Sequence, residues 1–363
     1  MANRYWVGGT GTWNSSNTTN WSASSGGTGG ASVPVSTDDV YLDGNSGTGT
    51  ITLSGTLACR TFDASAFAGT IANSGTGIWR VYGGFVLGSS LTWTATSGRS
   101  ILLYASSGSF NIDTKNKNLL LTTFRVGNVP STTATWTLQS NFISNSTLAT
   151  FDYGTFNLNG YTYDTQNSAL APTTGALIVG SSSVYVASMT IGSTSSANLG
   201  SGVVYVSGDV SISGVITNAA SSTINMTGSA AKAFSGGGRT FGTLNNSGAG
   251  ALTISGSNTF ANITNSYSST GATTVKFTSG TTNTFTAFNL TGQSGNVCTL
   301  TATGGTAATL SKTGTWYMGA NSTNGGGNTG LVFTAGGGID YLAVSNITGI
   351  LPATGSGNFF NFF

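Results

Sequence analysis

Three stretches share one form: Thr240-Phe241-Gly242-Thr243-Leu244, Thr259-Phe260-Ala261-Asn262-Ile263 and Thr284-Phe285-Thr286-Ala287-Phe288. Each reads Thr-Phe-x-x-apolar, and each is followed by a second short apolar burst. The bursts are Leu252-Thr253-Ile254, Val275-Lys276-Phe277 and Cys298-Thr299-Leu300. The first series is unevenly spaced, with its Thr at Thr240, Thr259 and Thr284. The second, aligned on those triplets, advances in equal steps from Leu252 to Val275 to Cys298. Alternating apolar and small polar residues give the period of two that marks a strand with one buried face. A multi-strand unit that recurs at such intervals has a solenoid period. A degenerate copy stands early in the chain, where Leu57-Ala58-Cys59 precedes Thr61-Phe62-Asp63-Ala64-Ser65.

Outward from this core the same bursts continue, as in Ile51-Thr52-Leu53, Phe110-Asn111-Ile112, Phe156-Asn157-Leu158, Val184-Tyr185-Val186, Val210-Ser211-Ile212 and Ile224-Asn225-Met226. Composition agrees with strands. Glu is absent, Lys occurs five times and Gln three times, so the straight-chain helix formers are scarce. Gly contributes 55 of 363 residues, about twice ordinary usage. The chain is therefore expected to be all-β, a right-handed parallel β-helix with a distinct N-terminal cap and C-terminal tail. Tandem β-sandwich or jelly-roll modules, which also show many short strands, are the alternative. Hydrophobic residues at 38% and aromatics at 10% distinguish the chain from a disordered Gly/Ser/Thr tract.

Coils that stack in register place like residues above one another. Repeated charges would then repel, whereas Thr and Asn columns hydrogen-bond and Phe, Ile and Leu columns fill the interior. Only 6% of the residues are charged, and the low charge fits that demand.

Three regions are delimited: a Trp-rich cap or attachment segment at 1–45, a solenoid body at 46–311, and a C-terminal cap with a Phe-rich tail at 312–363. Trp6, Trp13 and Trp21 in the first, and Phe359, Phe360, Phe362 and Phe363 in the last, are the candidate assembly and interface residues. Such apolar ends are expected to cover an open solenoid edge or dock on a partner. Cys59 and Cys298 each lie in an apolar strand and are read as two buried free thiols.

Without His there is no Ser-His-Asp or Cys-His arrangement, no zinc site of the usual kind and no imidazole base. Carboxylate chemistry remains, and glycoside hydrolysis needs two carboxyls across the scissile bond. Asp38, Asp39 and Asp43, or Asp152 with Asp164, are the candidate groups. On an extended strand Asp39 and Asp43 would share one face and Asp38 the other. The plainer reading is a turn with solvated acids ahead of a strand at Val40–Leu42, and no catalytic residue, metal or cofactor is assigned. The stretch Asn324-Gly325-Gly326-Gly327-Asn328-Thr329-Gly330 lacks the Lys of a phosphate loop and reads as a turn. Asn17-Thr18-Thr19 matches a glycosylation sequon, read as coincidental. A net charge of +2 with scattered basic residues shows no patch for nucleic acid, and no apolar run is long enough to span a membrane. The N-terminus carries no signal-peptide pattern, so synthesis in a cytoplasm is expected.

Arg4-Tyr5-Trp6-Val7-Gly8-Gly9-Thr10-Gly11-Thr12-Trp13, with Asn20-Trp21-Ser22 and Val33-Pro34 leading to Asp38-Asp39-Val40, resembles the N-termini of structural proteins of marine tailed bacteriophages. Gly319-Ala320-Asn321-Ser322-Thr323-Asn324-Gly325-Gly326-Gly327-Asn328-Thr329-Gly330 is similar to a segment near their C-termini. The resemblance covers both ends and reaches the middle only in style. It implies a non-enzymatic virion component made in the host cytoplasm: a tail fibre, a spike, or a capsid decoration or head fibre. Its partners would be copies of itself, as a trimer, other capsid or tail proteins, and host surface glycan. The alternatives are a bacterial surface adhesin on the same solenoid, or a spike that depolymerises polysaccharide with an Asp pair.

Overall fold

The computed structural model describes residues 1–312 except 74, 96–97, 131, 145–147, 268–269, 291, 293–295 and 305–306. Beyond 312 it describes the backbone of four short strands, Trp316–Tyr317, Ser322–Asn324, Leu331–Ala335 and Ile339–Asp340. The described residues are all-β, with two 3-10 turns, at Gly44–Ser46 and Ala219–Ser221, and no α-helix. The strands stack in parallel as a β-solenoid, and the chain divides into two compact units. Unit 1 comprises Met1–Ser207 with Ser211–Ser222, and unit 2 comprises Gly208–Val210 with the residues from Thr223 onward.

Unit 1 coils around three ladders. The first has 11 strands. It begins with Asn3–Trp6, Asp39–Tyr41, Thr61–Ala64 and Phe85–Leu87, and ends at Val215–Thr217. The second, of four strands, is made by Gly11–Trp13, Thr50–Leu53, Thr70–Asn73 and Thr92–Ala95. The third runs through Leu57–Cys59, Ile78–Val81, Ser100–Leu103 and Thr123–Val126 to Ser183–Ile191 and Val203–Val206. Register partners show how far the chain travels in each coil. Val40 pairs with Phe62, Phe85 with Ile112 and Ala197 with Ile216. The coil from Phe85 is the longest of these three and the coil from Ala197 the shortest. The strands thus keep step while the corners absorb the difference.

Segment 1–45 supplies the first coil, because Asn3–Trp6 pairs in parallel with Asp39–Tyr41 and Gly11–Trp13 with Thr50–Leu53. The outer edge of the first ladder is finished by Trp21–Ser22, antiparallel to Asn3–Trp6 with Trp6 opposite Trp21. A two-residue antiparallel strand leaves little edge for another chain to extend.

Unit 2 has two principal ladders. In one, Phe241, Phe260 and Phe285 are register partners, as are Thr240, Thr259 and Thr284, so the uneven spacing of the sequence motif is reproduced strand for strand. The three phenyl rings stack at 5.8 and 5.7 Å. In the other, Leu252 pairs with Val275, as the triplets predict. Val275, however, pairs with Leu300, and it is Thr273 that pairs with Cys298. The expected equal step from Val275 to Cys298 is therefore corrected: Leu300, not Cys298, is the register partner. Successive side chains alternate faces, so a slip by an even number of positions keeps every inward residue inward, and the apolar pattern does not separate the two registers.

Columns of like side chains line the coils. Val184 and Val186 stand on Val204 and Val206, and Asn245 donates to Asn225 at 2.8 Å. Among the described residues, no register pair within either unit sets two charged side chains side by side.

Corners pass close together, and Gly127 shows the consequence. Its φ is +72°, and a Cβ built there would lie 1.7 Å from the Tyr153 carbonyl oxygen of the next coil. Gly127→Ala is expected to destabilise unit 1 by about 2–3 kcal/mol, from left-handed backbone strain and displacement of that carbonyl. An unchanged urea midpoint would refute the close approach.

Candidate functional site

The carboxylates hold the fold together. Asp38 is buried just ahead of its strand, where it accepts hydrogen bonds from the backbone N–H of Ala2 at 3.1 Å and of Val35 at 3.3 Å. The Arg4 Nε lies 3.7 Å from it. Asp39, also buried, accepts from Arg60 and from the Thr61 hydroxyl. The strand ends at Tyr41, and Asp43 instead caps the 3-10 turn at Gly44–Ser46, accepting from Asn45 N–H at 2.9 Å. The expectation of solvated acids is thus corrected for Asp38 and Asp39, and Asp39 and Asp43 do not share a strand face. Backbone donors and guanidinium groups make burial of these charges tolerable.

Asp152 lies 3.0 Å from Arg125 Nε and accepts from the Thr173 hydroxyl at 3.0 Å, tying neighbouring coils. Asp164 sits on the outer face of its strand, in register with Tyr185. Asp113 is paired with Lys115 at 2.6 Å and also caps its backbone N–H. Among the described residues no group of three Cys or Asp is arranged to hold a metal ion.

The Trp residues go inside. Trp6, Trp13 and Trp21 are 0%, 1% and 0% exposed. Trp13 is central, edge-on to Trp21 at 5.1 Å and to Trp79 at 5.0 Å, with Phe62 at 6.0 Å. Trp6 meets Trp21 edge-on at 5.1 Å and donates its indole N–H to Gly9 O at 2.8 Å. These rings form the core of the first coils and present no surface to a partner, so an interface role for them is corrected to an internal one. The physical reason is size: indole rings fill interior cross-section that smaller residues would leave open. Phe359, Phe360, Phe362 and Phe363 lie outside the described residues, as does the Gly-rich stretch at 325–330.

Both cysteines are free and buried. Burial pushes the Cys59 and Cys298 thiols up to about 12, which keeps them protonated and unreactive. The amide of Asn17 in the sequon is engaged, donating to Thr12 O at 2.8 Å and Asn20 Oδ1 at 3.0 Å.

Among the described residues, Lys232 and Arg99 are buried cations that composition alone does not announce. Lys232 is 3% exposed, and its ammonium donates to the carbonyls of Gly250 at 2.7 Å, Gly228 at 3.0 Å and Gly248 at 3.4 Å. Burial lowers its pKa to about 8. The signal was present, because Lys232 and the inward Phe234 alternate with Ala233 and so share a face. Arg99 is 0% exposed, just ahead of the strand Ser100–Leu103, and no local pattern announces it.

The outer surface is mostly small and uncharged. A shallow groove of about 520 Å³ in unit 1 is lined by Gly180, Asn198, Gly200, Ser201, Asn218, Ala220 and Ser221, without an ionisable or aromatic group. Tyr rings stack in pairs between coils, Tyr185 on Tyr205 at 4.5 Å and Tyr82 near Tyr104 at 5.3 Å. Comparison with protein-family models, curated proteins and solved structures finds no match.

Proposed function

We propose that this chain is a non-enzymatic structural component of a tailed-bacteriophage virion, an exposed appendage on the tail or head that serves host-surface adhesion. The observation that carries the reading is the use made of ionisable groups: Asp38, Asp39, Asp43, Asp113 and Asp152 cap turns or tie coils together rather than converging on a cleft. Stacked, mostly uncharged coils make a scaffold whose value lies in its surface and persistence. The likeness of the two chain ends to phage structural proteins gives the particle context. The closed-off edge at Trp21–Ser22 suits a protein displayed at high local concentration.

Antibody-gold electron microscopy of purified particles is the direct test, with labelling expected at the tail or the capsid. A chain absent from particles would overturn the proposal. Purified chain incubated with host polysaccharide is expected to release no new reducing ends or unsaturated sugars. Release abolished by Asp152→Asn would instead establish a depolymerase.

A further inference from the structure

We propose that unit 1 binds one small inorganic anion of the chloride class in its interior, between the side chains of Arg99 and Asn73. Both residues are 0% exposed. Arg99 Nε donates to Asn73 Oδ1 at 3.0 Å, and Arg99 Nη1 donates to Gly55 O. Two donors at this place have no partner among the described residues: Arg99 Nη2 and Asn73 Nδ2. Nη2 shares its carbon with Nε, and Nδ2 shares its carbon with Oδ1. The two unpartnered donors therefore flank a single hydrogen bond.

Charge decides what belongs there. Arg99 belongs to none of the ion pairs Arg4–Asp38, Arg60–Asp39, Lys115–Asp113 and Arg125–Asp152. A guanidinium does not give up its proton in a protein. An isolated buried charge without a counter-charge is strongly unfavourable. Burial indeed pushes the Arg99 pKa down, with no carboxylate acting against it. A water molecule satisfies the donors and leaves the charge; an anion does both. With both residues sealed from solvent, a monatomic ion suits the place better than phosphate or sulfate.

The corner is shaped around the guanidinium. A Cβ on Gly77 would stand 2.6 Å from Arg99 Nη1 and 2.4 Å from Gly55 O, so only glycine lets this side chain reach its acceptor.

The test replaces one atom. Asn73→Asp puts a carboxylate oxygen where the unpartnered amide nitrogen stands and supplies the counter-charge covalently. Thermal unfolding of the full chain is followed in sodium chloride and in sodium gluconate at equal ionic strength. The wild-type midpoint is expected to be about 2–4 °C higher in chloride, from linkage to a single site. In Asn73→Asp that difference is expected to vanish. In crystals grown with bromide, an anomalous peak is expected within hydrogen-bonding distance of Arg99 Nη2 and Asn73 Nδ2. Equal chloride dependence in the two proteins would overturn the proposal, as would bromide density absent from this corner or an ordered water found there. The bromide measurement needs only the wild-type chain and stands even if the variant fails to fold.

Discussion

Trp13→Ala is expected to lower the unfolding free energy of unit 1 by about 4 kcal/mol, within the range for truncating a buried aromatic. Trp13 is 1% exposed and packs against two indoles and a phenyl ring from three other strands. Its removal opens a void in the core of the first coils and forfeits edge-to-face contacts worth about 0.5–1.5 kcal/mol each beyond their area. Trp13→Phe keeps part of the ring contact and is expected to cost about half as much. The measurement is urea unfolding followed by far-ultraviolet circular dichroism, with hydrogen exchange locating the loss to the first coils. A variant of wild-type stability that no longer enters particles would place the indole at an interface instead.

Alkaline pH is expected to unfold the protein well before its backbone chemistry suffers. Cys59 and Cys298 ionise in the fold only at about 12, whereas the thiol of an unfolded chain ionises near 9. The stability contributed by burying each neutral thiol is complete below pH 9 and is lost as pH rises toward 12. Over that interval each loses about 4 kcal/mol. Tyr163, fully buried, is shifted upward in the same sense, adding to the loss in unit 1 above pH 10. Lys232 works the other way. Its folded pKa of about 8 lies below the unfolded value of 10.5, so unit 2 gains stability as pH rises from about 8 to 10.5.

Unit 1 is therefore expected to weaken steadily above pH 9, and unit 2 to pass through a shallow maximum first. Six of the seven Trp residues lie in unit 1, so indole fluorescence reports mainly on it. Cys59→Val is expected to raise its alkaline midpoint, and an unmoved midpoint would show that this thiol does not govern the transition.

The architecture was legible because it is written in what repeats. Phe241, Phe260 and Phe285 stand in the sequence as they stand in space, and the period-two bursts around them give the inward face. Register was less legible. Val275 pairs with Leu300 where Cys298 was expected, a change to which alternation is blind. The side chains that carry charge were the hardest to place. Asp38 and Asp39 are buried because Arg4, Arg60 and the Ala2 amide meet them from other segments. Such meetings depend on which coils adjoin, and that follows from register. Trp6, Trp13 and Trp21 were expected to cover an open solenoid edge or dock on a partner, because three indoles stand close together in a Gly-, Asn- and Ser-rich segment. They stand instead on the strands Asn3–Trp6, Gly11–Trp13 and Trp21–Ser22, with their rings buried.

The unequal coil lengths bear on how such a protein can change. The long coil from Phe85 to Ile112 and the short one from Ala197 to Ile216 each advance the first ladder by a single strand. Extra residues therefore leave through a corner without disturbing the strands on either side. Length polymorphism in this lineage should then accumulate at corners as small loops of any size, while gains and losses within strands should come as whole coils. For an engineer, the long coil between Phe85 and Ile112 marks where a foreign epitope is best spliced.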